Sequence, residues 1–194
     1  MGLLKLKTKI SVEDYLEGEK ISPIKHEYID GEVYQMAGAS NRHSRISMNL
    51  STSLDNHFRD SPCQTFAGDT KVRVAINVFY YPDILVSCEQ EDENSHFCNT
   101  PVLIIEVTSP STERIDRQEK LLAYQRITSV QEYVIIDQHR INIELHRHQP
   151  NGTWITYFFD ETDTEIEFQS VDLTLQISEI YRRVRFETNA DRNN

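Results

Sequence analysis

Apolar and polar residues alternate near both ends of the chain, as in strands that bury one face. The segment KHEYIDGEVYQM alternates on either side of Asp30-Gly31, and this dipeptide favours a tight turn between antiparallel strands. From Ile141 onward the sequence alternates again around Asn-Gly and acidic turns, which is typical of an antiparallel meander. We therefore expect an N-terminal hairpin, a C-terminal antiparallel meander and a short closing helix in ISEIYRRV.

Two segments in the first third of the chain have helical signals. In SVEDYLEGE, residues 11–19, Ser11 can cap a short helix that Gly18 ends. Residues 41–59 place apolar side chains at spacings of four, so they predict a longer amphipathic helix with one buried face. These apolar residues are Ile46, Leu50, Leu54 and Phe58.

Nearly continuous apolar runs in the middle of the chain predict buried strands. The runs are FYYPDILVS (79–87), PVLIIEV (101–107) and EYVIID (132–137). The acidic segment Glu89–Asn99 between the first two predicts an exposed loop. A helix is expected from about Glu113 to Ile127, after the turn SPST. Its inward residues are predicted to be Ile115, Leu122 and Ala123.

The order strand, helix, strand in this region predicts a βαβ crossover and a parallel strand pair. Combined with the hairpin and the meander, it predicts an α/β or α+β class. A central mixed β-sheet is expected, flanked by helices.

Chain length, apolar runs and cysteine spacing predict the number of domains, the cellular location and the state of the cysteines. A chain of 194 residues fits one domain with a sizeable core. No apolar run approaches the roughly 20 residues of a membrane helix, and the N-terminus has no signal-peptide features. We expect a cytoplasmic protein without membrane contact. Cys63, Cys88 and Cys98 lack CxxC spacing, so we expect buried or half-buried fillers, not disulfides or zinc ligands.

Three charged residues in the middle of the chain form the candidate site. Asp83 follows a proline, and Glu106 interrupts an apolar run, where an unpaired buried carboxylate is costly. If their strands are neighbours, the two like charges repel, and Mg²⁺ would relieve the repulsion. Lys120 shares a helix face with Asp116 and Tyr124, so its ammonium could orient an attacking water. Such a set suits metal-assisted phosphodiester hydrolysis.

The order of the motifs carries a family resemblance. A Pro-Asp strand comes first, then a strand ending Glu-Val before Ser-Pro-Ser-Thr, a helix with Asp, Lys and Tyr, and the strand Glu-Tyr-x-Ile-x-Asp. Together with YIDGEVYQMAGAS and NRHSRISMNL, this pattern resembles the Uma2 family of restriction endonucleases, in the PD-(D/E)XK nuclease superfamily. The resemblance covers about residues 11–187.

The resemblance implies a single restriction-endonuclease-like domain over residues 1–187, and the polar residues 188–194 predict a frayed tail. It implies DNA as the partner and Asp83 and Glu106 as ligands of Mg²⁺, with Mn²⁺ as a possible substitute. The expected activity is endonucleolytic cleavage of DNA, by a protein that we expect to be a homodimer.

Two further residues follow from the resemblance. Thr108 occupies the position of the usual strand lysine, and Lys120 resembles the lysine that has moved to the following helix in some branches of the superfamily. Glu32 resembles the additional acid that many such nucleases contribute from an early element.

The missing strand lysine and the acidic net charge, −11, favour an alternative function. In it the protein is an inactive nuclease-fold module that binds nucleic acid or regulates as a dimer.

Several residues also have simpler interpretations. Asp83 could be a turn residue, Lys120 could form a surface pair with Asp116, and Glu32 could be a solvated strand residue. His146 and His148 are expected to be exposed strand residues, although they could share a metal. His43 and Ser44 are expected to be ordinary polar residues at the start of a helix. Alternatively, they face the site. The basic cluster Arg182, Arg183 and Arg185 is either a solvated helix end or a phosphate contact.

Overall fold

The computed structural model describes residues 9–90, 94–109 and 112–186. The helices are α1 (Val12–Ile21), α2 (Asn41–His57), α3 (Glu113–Ile115), a π-helical segment (Asp116–Lys120), α4 (Leu121–Tyr124), a 3₁₀ turn (Gln169–Val171) and α5 (Ile177–Ile180). The strands are β1 (His26–Ile29), β2 (Glu32–Gln35), β3 (Gln64–Ala67), β4 (Lys71–Ala75), β5 (Val78–Tyr80), β6 (Ile84–Ser87), β7 (Phe97–Cys98), β8 (Pro101–Thr108), β9 (Glu132–Asp137), β10 (Asn142–His148), β11 (Trp154–Asp160), β12 (Glu165–Phe168) and β13 (Leu173–Gln176).

A six-stranded mixed sheet forms the centre of the fold, in the order β11-β10-β9-β8-β6-β3. Strands β8 and β9 are parallel, and the remaining pairs are antiparallel. The connection from β8 to β9 passes through α3, the π-helical segment and α4, as a parallel pair requires. The predicted fold class, with its central mixed sheet flanked by helices, is confirmed.

Two apolar layers cover the two faces of this sheet. On one face, α2 buries Ile46, Leu50 and Leu54 against residues such as Ile105 of β8. On the other face, Ile104 packs with residues of the crossover connection and of β5. Because strand side chains alternate between faces, Glu106 lies on the same face as Ile104, beneath the crossover helix.

The N-terminal hairpin belongs to a second, five-stranded sheet, in the order β2-β1-β5-β4-β7. Its turn places Asp30 at φ 52° and Gly31 at φ 91°, the positive values that a two-residue hairpin turn requires. The hairpin was predicted correctly. Strand β1 pairs with β5, and β5 ends at Tyr80, three residues before Asp83, so the sheet brings the hairpin towards the candidate site.

Two details of the helices differ from the sequence predictions. Helix α1 is capped by Ser11 as expected but continues through Gly18 to Ile21. In the crossover, Leu122 is exposed, and the buried residues of the π-helical segment and α4 are Asp116, Lys120 and Tyr124. The apolar pattern failed here because this helix covers the carboxylate of Glu106, so its inner face carries polar groups.

The predicted loop 89–99 was also partly wrong. Its end forms β7, which pairs in parallel with β4 and buries Cys98. Residues 91–93 of that loop, part of the predicted turn SPST and the predicted tail 188–194 lie outside the described residues. The extent of the domain, residues 1–187, stays a prediction. In the described ranges, we find no helix with the length and apolar character needed to cross a membrane.

Cys63 and Cys88 form a disulfide, which contradicts the prediction that the cysteines are buried or half-buried fillers without disulfides. The two residues flank β3 and β6, whose register pairs Gln64 with Ser87, so the cysteines lie opposite each other at the end of this strand pair. The 25-residue separation along the chain hid this neighbourhood from spacing rules that look for CxxC. The bond fixes β3, an edge strand, to the sheet.

The disulfide gives a direct stability prediction. Reduction should lower the free energy of unfolding by about 2–4 kcal/mol, because closing a loop of this length restricts the unfolded chain. Urea unfolding with and without reductant measures this loss, and the variant C63S/C88S should not respond to reductant. Alkylation of the unreduced, unfolded protein should modify one thiol, that of Cys98, and modification of three thiols would contradict the assignment.

His146 is buried, unlike the exposed residue that the sequence predicted. Its Nδ1 lies 2.8 Å from the hydroxyl of Thr156, and its ring stacks on Tyr133. Its Nε2 makes no hydrogen bond within the described part of the chain. Burial, aided by the charge of Arg117, lowers the pKa of His146 to about 4, so the ring is neutral at pH 7. His148 is exposed at the end of β10, beside Trp154.

We predict that His146 makes folding sensitive to mild acid. The unfolded chain binds a proton on this ring below about pH 6.5, whereas the native ring stays neutral until about pH 4. The free energy of unfolding should therefore fall by up to about 3 kcal/mol over this window. Urea unfolding at several pH values should show a weaker dependence for H146Q than for the wild type. H148Q is the matched control and should keep the wild-type dependence, and identical pH profiles for all three proteins would contradict the prediction.

Candidate active site

Asp83 and Glu106 lie opposite each other at one end of the central sheet. The antiparallel register of β6 and β8 pairs Ile84 with Ile105, and continuing it by one residue brings Asp83 opposite Glu106. Oδ2 of Asp83 accepts a hydrogen bond from the backbone N–H of Val107 at 2.7 Å. The two carboxylates are thus held on adjacent strands at the point where β6 begins.

Glu106 is almost fully buried, with 4% of its surface exposed. Its Oε1 accepts hydrogen bonds from the ammonium of Lys120 at 3.0 Å and from the hydroxyl of Tyr124 at 3.1 Å. Both donors come from the crossover helix, which lies on this face of the sheet. The strand carboxylate that looked costly in the sequence therefore has two buried partners.

The ammonium of Lys120 contacts three carboxylates. Its Nζ lies 2.9 Å from Glu27, 3.0 Å from Glu106 and 3.5 Å from Asp116. Asp116 and Lys120 are the two ends of the π-helical segment, a departure from α-helical winding that is frequent at functional sites. Below the segment, the hydroxyl of Tyr133 donates to the carbonyl of Asp116, which holds this wider turn against β9.

The acid that the hairpin contributes to this group is Glu27, which lies on β1. Its Oε1 contacts Lys120 and also accepts the backbone N–H of Tyr81 at 3.4 Å. Glu32, the acid that the sequence suggested, lies at the start of β2, and its carboxylate accepts a hydrogen bond from the hydroxyl of Tyr34. The hairpin therefore supplies an acid, as expected, but from the strand that pairs with β5.

His43, in the first turn of α2, contacts Asp83 from the other side. Its Nε2 lies 3.0 Å from Oδ2 of Asp83, so His43 faces the site. Burial disfavours the charged ring, but the hydrogen bond to Asp83 and the charges of Asp83 and Asp116 outweigh it and raise the pKa of His43. Helix α2 thereby positions Asp83.

The group contains more acid than base. Burial opposes the charge of Lys120, yet Glu106, Glu27 and Asp116 together raise its pKa well above the ordinary value, so Lys120 is a cation. Burial also raises the pKa of Glu106, and although Lys120 opposes this, the charges of Asp116, Asp83 and Glu27 add to the rise. Burial likewise raises the pKa of Asp116. One ammonium does not neutralise the surrounding carboxylates.

The donor set fits a hard divalent cation. Oδ1 of Asp116 is buried and makes no hydrogen bond to any described residue, and the excess of carboxylates favours added positive charge. Among the described residues, no three His, Cys, Asp or Glu side chains converge as a preformed metal site. Mg²⁺ does not require such a cluster, because it commonly binds through one or two carboxylates and keeps several waters. The residues present are therefore compatible with Mg²⁺.

Thr108, at the position of the usual lysine, has a structural role here. Its hydroxyl donates to the carbonyl of Ile136 at 3.4 Å, and its carbonyl accepts the amide N–H of Gln138 at 2.7 Å. Gln138 is buried and also accepts a hydrogen bond from the hydroxyl of Ser40. These contacts tie the end of β8 to the start of α2.

Sequence reasoning did not assign Glu27, Asp116, Tyr124 or Gln138 to the site. Asp116 and Tyr124 had a usable signal, since both share the helix face of Lys120 at spacings of four. Glu27 had none, because the alternating hairpin does not reveal which of its strands pairs with β5. Gln138 follows a buried strand and resembles an ordinary loop residue.

Comparison with known proteins gives a family match over most of the chain. The Uma2 family, described as "Putative restriction endonuclease", matches residues 12–178. The uncharacterized protein slr1290 of Synechocystis sp. is 35% identical over 181 residues, which cover 92% of this chain and 94% of that protein. The uncharacterized protein sll1609 of the same organism is 34% identical over 166 residues, which cover 83% and 94%.

A solved structure shares the fold. It is a protein from Anabaena variabilis described as "a putative nuclease belonging to DUF820". The TM-score is 0.72 at 20% identity, and the match covers 89% of this chain and 97% of that one. At this level of identity the likeness establishes the fold and carries no residue roles.

The charge balance of the group predicts how substitutions affect stability. K120M should lower the free energy of unfolding by about 3–5 kcal/mol, because it leaves buried carboxylates without their cation. Adding E106Q to K120M should recover part of the loss, and a double-mutant cycle in urea measures the coupling. K20M, which removes an exposed lysine paired with Glu17, is the control and should change stability by less than about 1 kcal/mol. Additive effects of E106Q and K120M would contradict the pairing.

Proposed function

Since the chain belongs to the Uma2 family, we propose that it is a Mg²⁺-dependent endonuclease that hydrolyses phosphodiester bonds of DNA. The observation that carries the proposal is the group formed by Asp83, Glu106 and Lys120, in which carboxylates from two adjacent strands outnumber the one lysine above them. This set resembles the PD-(D/E)XK arrangement, with the lysine on the helix instead of the strand.

Asp83 and Glu106 would hold the metal, either Mg²⁺ or Mn²⁺. When bound, the ion would neutralise charge on the reacting phosphate and lower the pKa of a bound water. The hydrogen bonds from Val107 to Asp83 and from Tyr124 to Glu106 fix the orientation of these carboxylates, and His43 positions Asp83 from the side of α2.

Lys120 is proposed to orient the attacking water. Its ammonium forms ion pairs with three carboxylates, and the contact with Oδ1 of Asp116, at 3.5 Å, is the longest and is not a hydrogen bond. A water that replaced this contact would accept a hydrogen bond from Lys120 and could donate a proton to the released carboxylate of Asp116. Asp116 would then act as the general base that the raised pKa of its carboxyl group favours.

An inactive, DNA-binding protein is the second candidate function. It is favoured by the complete engagement of Lys120 with carboxylates and by the structural role of Thr108. In that case the same ionic group would only join the hairpin, the sheet and the crossover helix. Cleavage and metal binding separate the two functions.

A cleavage assay tests the proposed activity. With Mg²⁺ or Mn²⁺, the wild type should cut plasmid and linear DNA, and chelation by EDTA should abolish the cutting. D83N and E106Q should each reduce the rate by at least about 100-fold, because each removes a charge that stabilises the transition state. Wild-type activity in D83N, measured in protein with a normal unfolding transition, would contradict the assignment.

The same assay decides which hairpin acid matters. Glu32 stays a predicted catalytic residue, whereas Glu27 is the one that contacts Lys120. We expect E27Q to lower the cleavage rate by about 10-fold or more and E32Q to have the smaller effect. The reverse order would restore the original assignment to Glu32.

A homodimer remains part of the proposal, and β11 is its most suitable surface. This strand is an edge of the six-stranded sheet and exposes Ile155, Tyr157 and Phe158, a combination that favours pairing with a second strand. Light scattering should give twice the mass of one chain, and placing a proline at Thr156 should shift the protein to monomer. A monomeric wild type would refute the dimer.

The cytoplasmic location also stays a prediction, and the disulfide argues against it because cytosolic thiols are usually kept reduced.

A further inference from the structure

Four arginines line a groove beside the first turns of α2. The groove has a volume of about 600 Å³ and also contains Asn41 and Ser44 among its walls. We call it the arginine groove, defined by Arg42, Arg45, Arg183 and Arg185. Two of the arginines come from α2 and two from the segment that follows α5, far apart in the sequence.

A buried asparagine holds the two walls of the arginine groove together. Asn49, with 6% of its surface exposed, donates hydrogen bonds at 2.9 Å to the carbonyls of Ile180 and Arg182. Val184 and Phe186 of the same segment pack against the main core. The position of Arg183 and Arg185 is therefore set by the fold. Arg182 turns away and pairs with Glu179.

The arginine groove concentrates positive charge in a protein of net charge −11. Arg45, Arg183 and Arg185 are exposed, and no ion pair with a carboxylate is found for them in the described ranges, whereas most other arginines have such a partner. Arg42 lies 3.2 Å from His139. The exposed guanidinium groups of Arg45, Arg183 and Arg185 suit a ligand with several phosphate oxygens.

The arginine groove is next to the candidate active site. Arg42 and Arg45 flank His43, and His43 contacts Asp83. Side chains at these spacings point to different faces of a helix, but Arg42 and Arg45 are only about 4.5 Å apart along its axis. The groove and the residue that positions Asp83 therefore share the N-terminal end of α2. A polyanion that lies in the groove and passes over this end of α2 would reach the carboxylates.

We propose that the arginine groove binds the phosphate backbone of DNA next to the bond that is cut. This inference rests on the nuclease function proposed above. The acidic remainder of the surface repels DNA, so binding must be concentrated where the positive charge is. Contacts through the backbone fix the position of DNA without reading its sequence. The arginine groove thus acts as a positioning surface, and the carboxylate group carries out the reaction.

DNA binding without cleavage provides the test. Fluorescence anisotropy of a labelled duplex, measured in EDTA over a series of salt concentrations, gives the affinity and its salt dependence. R45Q/R185Q should weaken binding by about 10-fold or more at low salt. It should also reduce the slope of log affinity against log salt by roughly 2, about 0.9 for each lost phosphate contact. Arg183 is left unchanged because its φ of 63° makes any substitution there a possible backbone change.

R59Q/R126Q is the matched control. Both arginines are exposed and the variant loses the same charge, but Arg59 follows the C-terminal end of α2, roughly 20 Å along the helix from Arg45. The control should bind DNA within about twofold of the wild type. Equal weakening by the two variants would show a nonspecific charge effect and would overturn the proposal, as would a wild type that does not bind DNA. Retention on anionic lipid vesicles that depends on Arg45 and Arg185, without such dependence for DNA, would also overturn it.

The cleavage assay on the same variants separates this inference from the proposed activity. Groove-dependent DNA binding by a protein that never cuts DNA would support the arginine groove and refute the nuclease function. Cleavage by the wild type with unchanged KM in R45Q/R185Q would support the nuclease function and refute the groove. If both hold, R45Q/R185Q should raise KM and leave kcat within about twofold, because its residues do not contact the reacting phosphate.

Discussion

The ammonium of Lys120 meets carboxylates from the hairpin, the central sheet and the crossover helix, and the arrangement of these three parts depends on that contact. Glu27 connects it to β1, Glu106 to β8 and Asp116 to its own helix. Because the group is buried, removing the cation would leave charges that no water can solvate. The same excess of carboxylates is the basis of the proposed cation site. Stability and proposed chemistry thus depend on one charge balance.

Site residues could be predicted from the sequence where a charged residue stood beside a strand pattern that buries it. Asp83 and Glu106 could be predicted as neighbours because each lies at an end of an apolar run, and a buried carboxylate demands a partner. Lys120 could be predicted from its spacing to Asp116 and Tyr124.

Glu27 could not be chosen over Glu32, since hairpin alternation leaves open which strand joins the neighbouring sheet. Leu122 was assigned inward because apolar periodicity assumes an apolar inner face, whereas this helix covers Glu106. The disulfide between Cys63 and Cys88 depended on strand register, which spacing along the chain does not show.

Helix α2 contributes residues both to the candidate active site and to the arginine groove. Its apolar residues cover one face of the sheet, while His43 in its first turn contacts Asp83 and Arg45 lines the arginine groove. Asn49, one turn further along, holds the C-terminal segment in place. In the proposed function, this arrangement would let a protein with a net charge of −11 bind DNA, because arginines with no acidic partner in the described ranges are grouped at one end of α2.

The central claim is that the excess of carboxylates around Lys120 is a divalent cation site. It is tested most directly by crystals soaked in Mn²⁺, with anomalous difference maps collected for the wild type and for E106Q. One anomalous peak is expected between Asp83 and Glu106 in the wild type, and it should be absent in E106Q. A map without a peak at these carboxylates, from crystals whose other regions are well ordered, would contradict the claim and leave the group as a structural ion pair.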